Sequence, residues 1–177
     1  MKQILNITKV AALLALALAT ICTVHAGGLR AASQETVQNF KAADPGLSRF
    51  FNNSVGYAVL PSVGEGGFII AGKHGDGLLF ENGKVTGKVT MSAVTVGAQA
   101  GGGKFSEVIF FETRAALNSF KQSNYAMSAA AKASIAASGV AARAKYEQGV
   151  AVFTLPKSGA MVAAAVGGQK FKFEPMR

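Results

Sequence analysis

Residues 54–72 read SVGYAVLPSVGEGGFIIAG. Two short apolar runs, 57–60 and 68–71, flank Pro61 and a glycine-rich connection, the pattern of neighbouring strands. The chain carries 21 glycines in 177 residues, inside candidate strands as well as between them. Glycine within a strand marks a sharp bend or a close backbone approach. A flat open sheet is therefore disfavoured. The expected fold class is α+β: a strongly curved, mainly antiparallel, barrel-like β-sheet of about eight strands with two or three helices. Short connections favour antiparallel pairing. The absence of βαβ alternation argues against a dinucleotide fold.

Around that stretch the punctuation is regular. Residues 27–32 read as a frayed terminus, and Ser33 as a helix cap with Glu35 in the first turn. Pro45 ends this helix, and Asp44-Pro45 restarts one as cap and first residue. Leu47, Phe50 and Phe51 fall at i, i+3 and i+4, one apolar face flanked by Lys41 and Arg49. Such a segment packs on a sheet or lies on a membrane surface. Residues 73–77 (KHGDG) read as a turn before a short strand, and Asn82-Gly83 is a strong two-residue hairpin signal. Residues 94–100 alternate as a small-residue strand that Gly101, Gly102 and Gly103 break. Residues 106–111 form another strand. Thr113 caps a second helix. For 127–137 alanine content favours helix and alternation favours strand; strand is the reading adopted. Residues 150–155 and 160–166 read as a final hairpin, and Lys170-Phe171-Lys172-Phe173 as a charge-protected edge strand.

The first 26 residues have the form of a secretory signal peptide: Lys2 and Lys9, an apolar run over 10–21, and Val24-His25-Ala26 as the cleavage site. The run is short of the ~20 residues a membrane span needs. Ile21 before Cys22 is a poor lipidation signal. Cleavage after Ala26 leaves residues 27–177 as one domain, large enough for a core of its own. It also removes the chain's one cysteine and lowers the formal charge from +9 to +7. The expected destination is the periplasm, with peripheral attachment to a membrane. A dispersed basic balance there meets anionic lipid or acidic polymer before nucleic acid.

Catalytic signatures are missing from the sequence. His74 is the single histidine after residue 26, and with Asp76 it sits in turn-forming company. No cysteine remains to make a thiolate, so a transition-metal site or Cys–His nucleophile lacks its parts. The 97–104 stretch GAQAGGGK fails as a phosphate loop, because Ala98 stands where the first glycine belongs and Phe105 where Ser or Thr would hold magnesium. Gly-x-Ser-x-Gly does not occur. Lys170 to Phe173 is the nearest approach to an aromatic–cation strand for nucleic acid. The expectation is a protein that is not an enzyme, with no cofactor and no nucleic-acid partner.

Several motifs in order resemble the SYLF domain, a lipid-binding family. They are the helix ending in Phe50-Phe51; Gly56-Tyr57-Ala58-Val59-Leu60-Pro61; the glycine-rich stretch 64–77; the small-residue strand 97–101; 106–111 with its following helix; and the terminal hairpin. The resemblance covers about 33–173. It implies binding to anionic phospholipid, of phosphoinositide type in eukaryotic relatives, through an N-terminal amphipathic helix and basic residues. The positions that fit are Arg30, Lys41, Arg49, Phe50 and Phe51. Some fungal relatives bind actin, a partner that an exported bacterial protein would not meet. The expected partner is an anionic phospholipid or membrane surface. The alternative is a protein–protein module of the envelope, docking another chain without lipid.

Overall fold

The structure, a computed structural model, describes residues 27–122, 125–128, 133–158 and 168–176. The leader-like segment, residues 129–132 of the alanine-rich stretch and the second arm of the final hairpin lie outside them.

Helix α1 covers 27–43. Leu29, Ser33, Thr36, Val37 and Phe40 recur at the helical interval and turn inward. The chain is already helical at Gly27, so Ser33 is not a cap. It lies nearly two turns inside, and its hydroxyl donates to the Leu29 carbonyl at 2.8 Å. A 3-10 turn, Pro45–Leu47, leads into α2, Ser48–Asn53. Asp44 caps that turn with Pro45 at its first position, as the dipeptide predicts.

Strands β1 (Gly56–Glu81) and β2 (Lys84–Phe111) form one antiparallel ribbon of 26 and 28 residues, closed by Asn82-Gly83. Both turn residues have positive φ, 50° and 74°, as a type I′ hairpin demands. The ribbon would span roughly 85 Å if flat. It curls instead, with register irregularities between Leu60 and Val63, Phe68 and Ile70, and Leu79 and Phe80. The apolar runs counted separately in the sequence are joined within these two strands. Residues 73–77 are not a turn, and Gly101 to Gly103 do not break β2. Gly75 and Gly77 lie against residues 59–63 of the same strand, where a side chain would strike Val63 and Leu60. These glycines serve the crossing of the ribbon over itself, and the backbone stays extended.

Helix α3, Arg114–Phe120, follows, with Thr113 Oγ1 accepting from the Ala116 N–H. Then come β3 (Tyr125–Ala126), β4 (Ala133–Ile135), α4 (Val140–Arg143), β5 (Val150–Ser158) and β6 (Lys170–Pro175). The described end of the alanine-rich stretch is thus strand at β4, where alternation outweighs helix propensity. β2 pairs with β5 through 104–111 and with β6 through 87–92, both antiparallel, while β4 pairs with β5 in parallel. The result is an α+β fold around a curled, mostly antiparallel half-barrel sheet. β3 flanks β6 at Phe171 and Lys170. Beyond that pairing Lys172 and Glu174 bridge at 2.6 Å.

The sheet has two apolar faces. Leu60, Val63, Leu79, Met91, Phe105, Ile109 and Phe111 form one, closed by Leu117 and Phe120 of α3 and Phe171 of β6. Val59, Leu78, Phe80, Val108, Phe110 and Phe153 form the other, under Phe40, Leu47 and Phe50. None of the described helices is long and apolar enough to cross a membrane.

Candidate functional site

The corner at 44–49 grips α4 at both ends. Asp44 is buried; Oδ1 accepts from the Gly46 N–H at 3.0 Å and Oδ2 from the Ala141 N–H at 2.7 Å. Burial alone raises its carboxyl, but the backbone N–H groups of Ala141, Gly46, Gly139 and Val140 outweigh that and hold it below the usual aspartate value. At the other end the Arg49 guanidinium donates to the carbonyls of Ala141 and, at 2.9 Å, Ala144. An anion at the first turn and a cation at the last complement the helix dipole. Four residues do not hold a helix alone, so this clasp fixes α4.

What α4 and the residues just after it then present is a pair of cations. Arg143 and Lys145, both exposed, stand at a cleft of about 510 Å³ between α4, β4 and β5. Val150, half-buried, gives it an apolar wall backed by the nearly buried Met127 and Val152, and Ser134 gives a hydroxyl. Glu147 shares the lining, which leaves an excess of one positive charge. A second cleft of about 450 Å³ adjoins across Ala144 and Lys145, with Arg49, Asn53, Glu112 and Tyr146 around it. The turn at Gln148-Gly149, with φ of 53° and 78°, closes the Glu147–Val150 bridge and aims the segment back into β5.

The five residues singled out in the sequence are not brought together as one patch. Phe50 is 3% exposed and packs on Phe153, Tyr146 and Phe110 at centroid distances of 5.1, 5.3 and 5.4 Å. As folded it offers no surface to a bilayer. Phe51 is half-buried against Phe110 and Tyr57. Lys41 lies over its ring at 5.1 Å. Arg49 sits over Phe50 at 4.8 Å and spends its donors on α4, although it borders the second cleft. Arg30 is exposed on α1, about 16 Å along the helix axis from Lys41. Arg143 and Lys145 went unread, because only the clasp and the β4–β5 pairing bring them beside an apolar cleft.

A polar row also crosses the first apolar face. Glu107 stands between Phe105 and Ile109 on β2, fully buried, and accepts from Gln169 Nε2 at 3.0 Å. Thr154 lies opposite it on β5. Lys73, 5% exposed, bridges to Glu65 at 3.6 Å and lies over the Phe105 ring at 5.8 Å. His74 is exposed on β1. Asp76 beside it is engaged by Thr90 at 2.8 Å and Lys88 at 3.1 Å. Among the described residues no three His, Cys, Asp or Glu side chains gather as a metal would need.

Compared with protein-family models and with curated proteins, the chain matches none.

Proposed function

We propose that this chain is an exported SYLF-like domain that binds anionic phospholipid reversibly, without catalysis, in the bacterial periplasm. The observation that carries the proposal is the cleft beside α4. Cations at Arg143 and Lys145 border an apolar wall of Val150 backed by Met127 and Val152, a pairing suited to a phosphate attached to an acyl chain. The ordered motifs that resemble the SYLF family support the same reading, as does the leader-like segment for the location. Arg30 and Lys41 add a diffuse attraction from α1, and Phe51 lends its half-buried ring.

The experiment is co-sedimentation with vesicles of phosphatidylglycerol or phosphatidylcholine at low and high salt. Each cation near an anionic surface contributes about 1 kcal/mol. Arg143→Ala with Lys145→Ala should therefore weaken binding to the anionic vesicles roughly thirtyfold. Added salt should weaken the wild type more than the double variant. Equal recovery by neutral and anionic vesicles ends the proposal and leaves the envelope protein–protein reading. Loss of binding in Arg30→Ala with Lys41→Ala, and not in the cleft variant, moves the site to α1.

A further inference from the structure

Glu107 and Gln169 contain an imbalance that neither the fold nor the cleft explains. Gln169 Nε2 donates to Glu107 Oε2 at 3.0 Å. The other two oxygens of the pair, Glu107 Oε1 and Gln169 Oε1, are buried with no hydrogen-bond partner among the described residues. Both are acceptors when the carboxylate is ionised. Two orphaned acceptors on side chains 0% and 1% exposed are costly, and more so if one carries a charge. Carboxylic acids and carboxamides relieve this together. One proton turns an acceptor into a donor, and the two groups close a ring with two parallel hydrogen bonds.

We propose that Glu107 and Gln169 form a binding site for a single proton, held on Glu107 Oε1 and donated to Gln169 Oε1, opposite the existing Nε2–H to Oε2 bond. No other atom is required, and no bond apart from O–H is made or broken.

The surroundings favour the neutral acid. On β2 the inward neighbours are Phe105 and Ile109, with Lys104 exposed. From β1 come Leu60, paired with Glu107, and Lys73, which pulls toward ionisation but is itself bridged to Glu65. From β5 comes Thr154, which is neutral, and ahead of β6 come Gln169 and the exposed Lys170. Burial pushes the Glu107 carboxyl up from 4.5 to about 7, against the lowering pull of the Gln169 bond and Lys73. The site also touches the cleft wall: the Met127 N–H donates to the Gln169 carbonyl at 2.8 Å, and Met127 lines the cleft.

The sign follows from linkage. The folded protein keeps this proton where the unfolded chain has lost it, between about 4.5 and 7. The folding constant therefore falls as pH rises through that window, by up to tenfold per unit and roughly 300-fold in all. Above it the dependence on this group vanishes. In Glu107→Gln a carboxamide replaces the neutral acid and supplies the same ring permanently. That variant should lose the pH slope and outlast the wild type at pH 8 in urea. Infrared spectra of the wild type should show a carboxylic acid C=O stretch at pH 6 that is gone by pH 8.5 and absent from the variant.

A wild-type protein with no acid C=O stretch at pH 6 overturns the proposal. So does a Glu107→Gln variant that keeps the slope. A trapped water donating to both oxygens would leave Glu107 ionised, giving neither the stretch nor the slope. Should the variant fail to fold, the wild-type infrared titration decides by itself.

Discussion

Gly77→Ala is expected to cost roughly 4 kcal/mol of folding stability, from a steric clash that the main chain itself creates. A Cβ at this position would enter the space of the Val59 carbonyl oxygen, and would stand 2.9 Å from Leu60 Cγ and 3.0 Å from the Val59 carbonyl carbon. A flexible side-chain tip could swing aside. A carbonyl within the β1–β2 ladder cannot, since Val59 is held in register with Val108. Relief would mean lifting one part of the ribbon off the other, which opens the apolar face shared by Leu60, Leu79 and Met91. A domain of this size is stable by about 5–15 kcal/mol, so the loss is a large part of the whole. Gly83→Ala is the comparison. Its φ of 74° disfavours a side chain, but nothing lies within 4 Å, so about 1 kcal/mol is expected. Urea titrations followed by circular dichroism measure both, with the midpoint shifting and the slope unchanged. A Gly77→Ala protein within 1 kcal/mol of wild type would mean that the ribbon does not cross itself there.

The same position shows what the sequence could convey. Glycine-rich segments foretold a curved sheet, because curvature requires close backbone approach and only glycine permits it. They could not say whether a given glycine bends the chain or lets another part pass over it. Residues 73–77 looked like a turn, and Gly101 to Gly103 like a break, although both lie inside long strands. Local signals fared better where the cause is local. Asn82-Gly83 makes its hairpin, Thr113 caps its helix, and Asp44-Pro45 starts its turn. Ser33 misled because a hydroxyl can cap a helix or bond back to the preceding turn, and the residues beside it do not decide which.

For the candidate site, the balance tips the other way. Phe50 and Phe51 have the spacing of an exposed amphipathic face and also of a packed one, and Phe50 is packed. Arg143 and Lys145 carry no pattern at all until α4 is fixed beside β5. Glu107 did leave a trace. Phe105, Glu107, Ile109 and Phe111 share one parity, so a carboxylate stands in an otherwise apolar row. A charge on the buried face of a strand implies a partner or a proton, though its partner, Gln169, is 62 residues away.

Asp44→Ala should cost roughly 4 kcal/mol at neutral pH, because it strips two charge-assisted hydrogen bonds from a buried corner. The Gly46 and Ala141 N–H groups lose their acceptor, and the Ala141 N–H is left buried. Since the N–H groups hold the Asp44 carboxyl below its ordinary value of 3.8, its contribution is complete above that value. It drains away as pH falls through the lower folded value. The gap between wild type and Asp44→Ala should therefore be flat from pH 5 to 7 and narrow in strong acid. This is opposite in sign to the Glu107 proton, whose benefit fades as pH rises. The loss should also reach the cleft. With its first turn released, α4 no longer holds Arg143 and Lys145 beside Val150, and recovery by phosphatidylglycerol vesicles should drop with it. Denaturation at pH 3, 5 and 7 separates the two carboxylates, since each acts in a different range. A gap that widens toward low pH would show that Asp44 is not the anion on which this corner is built.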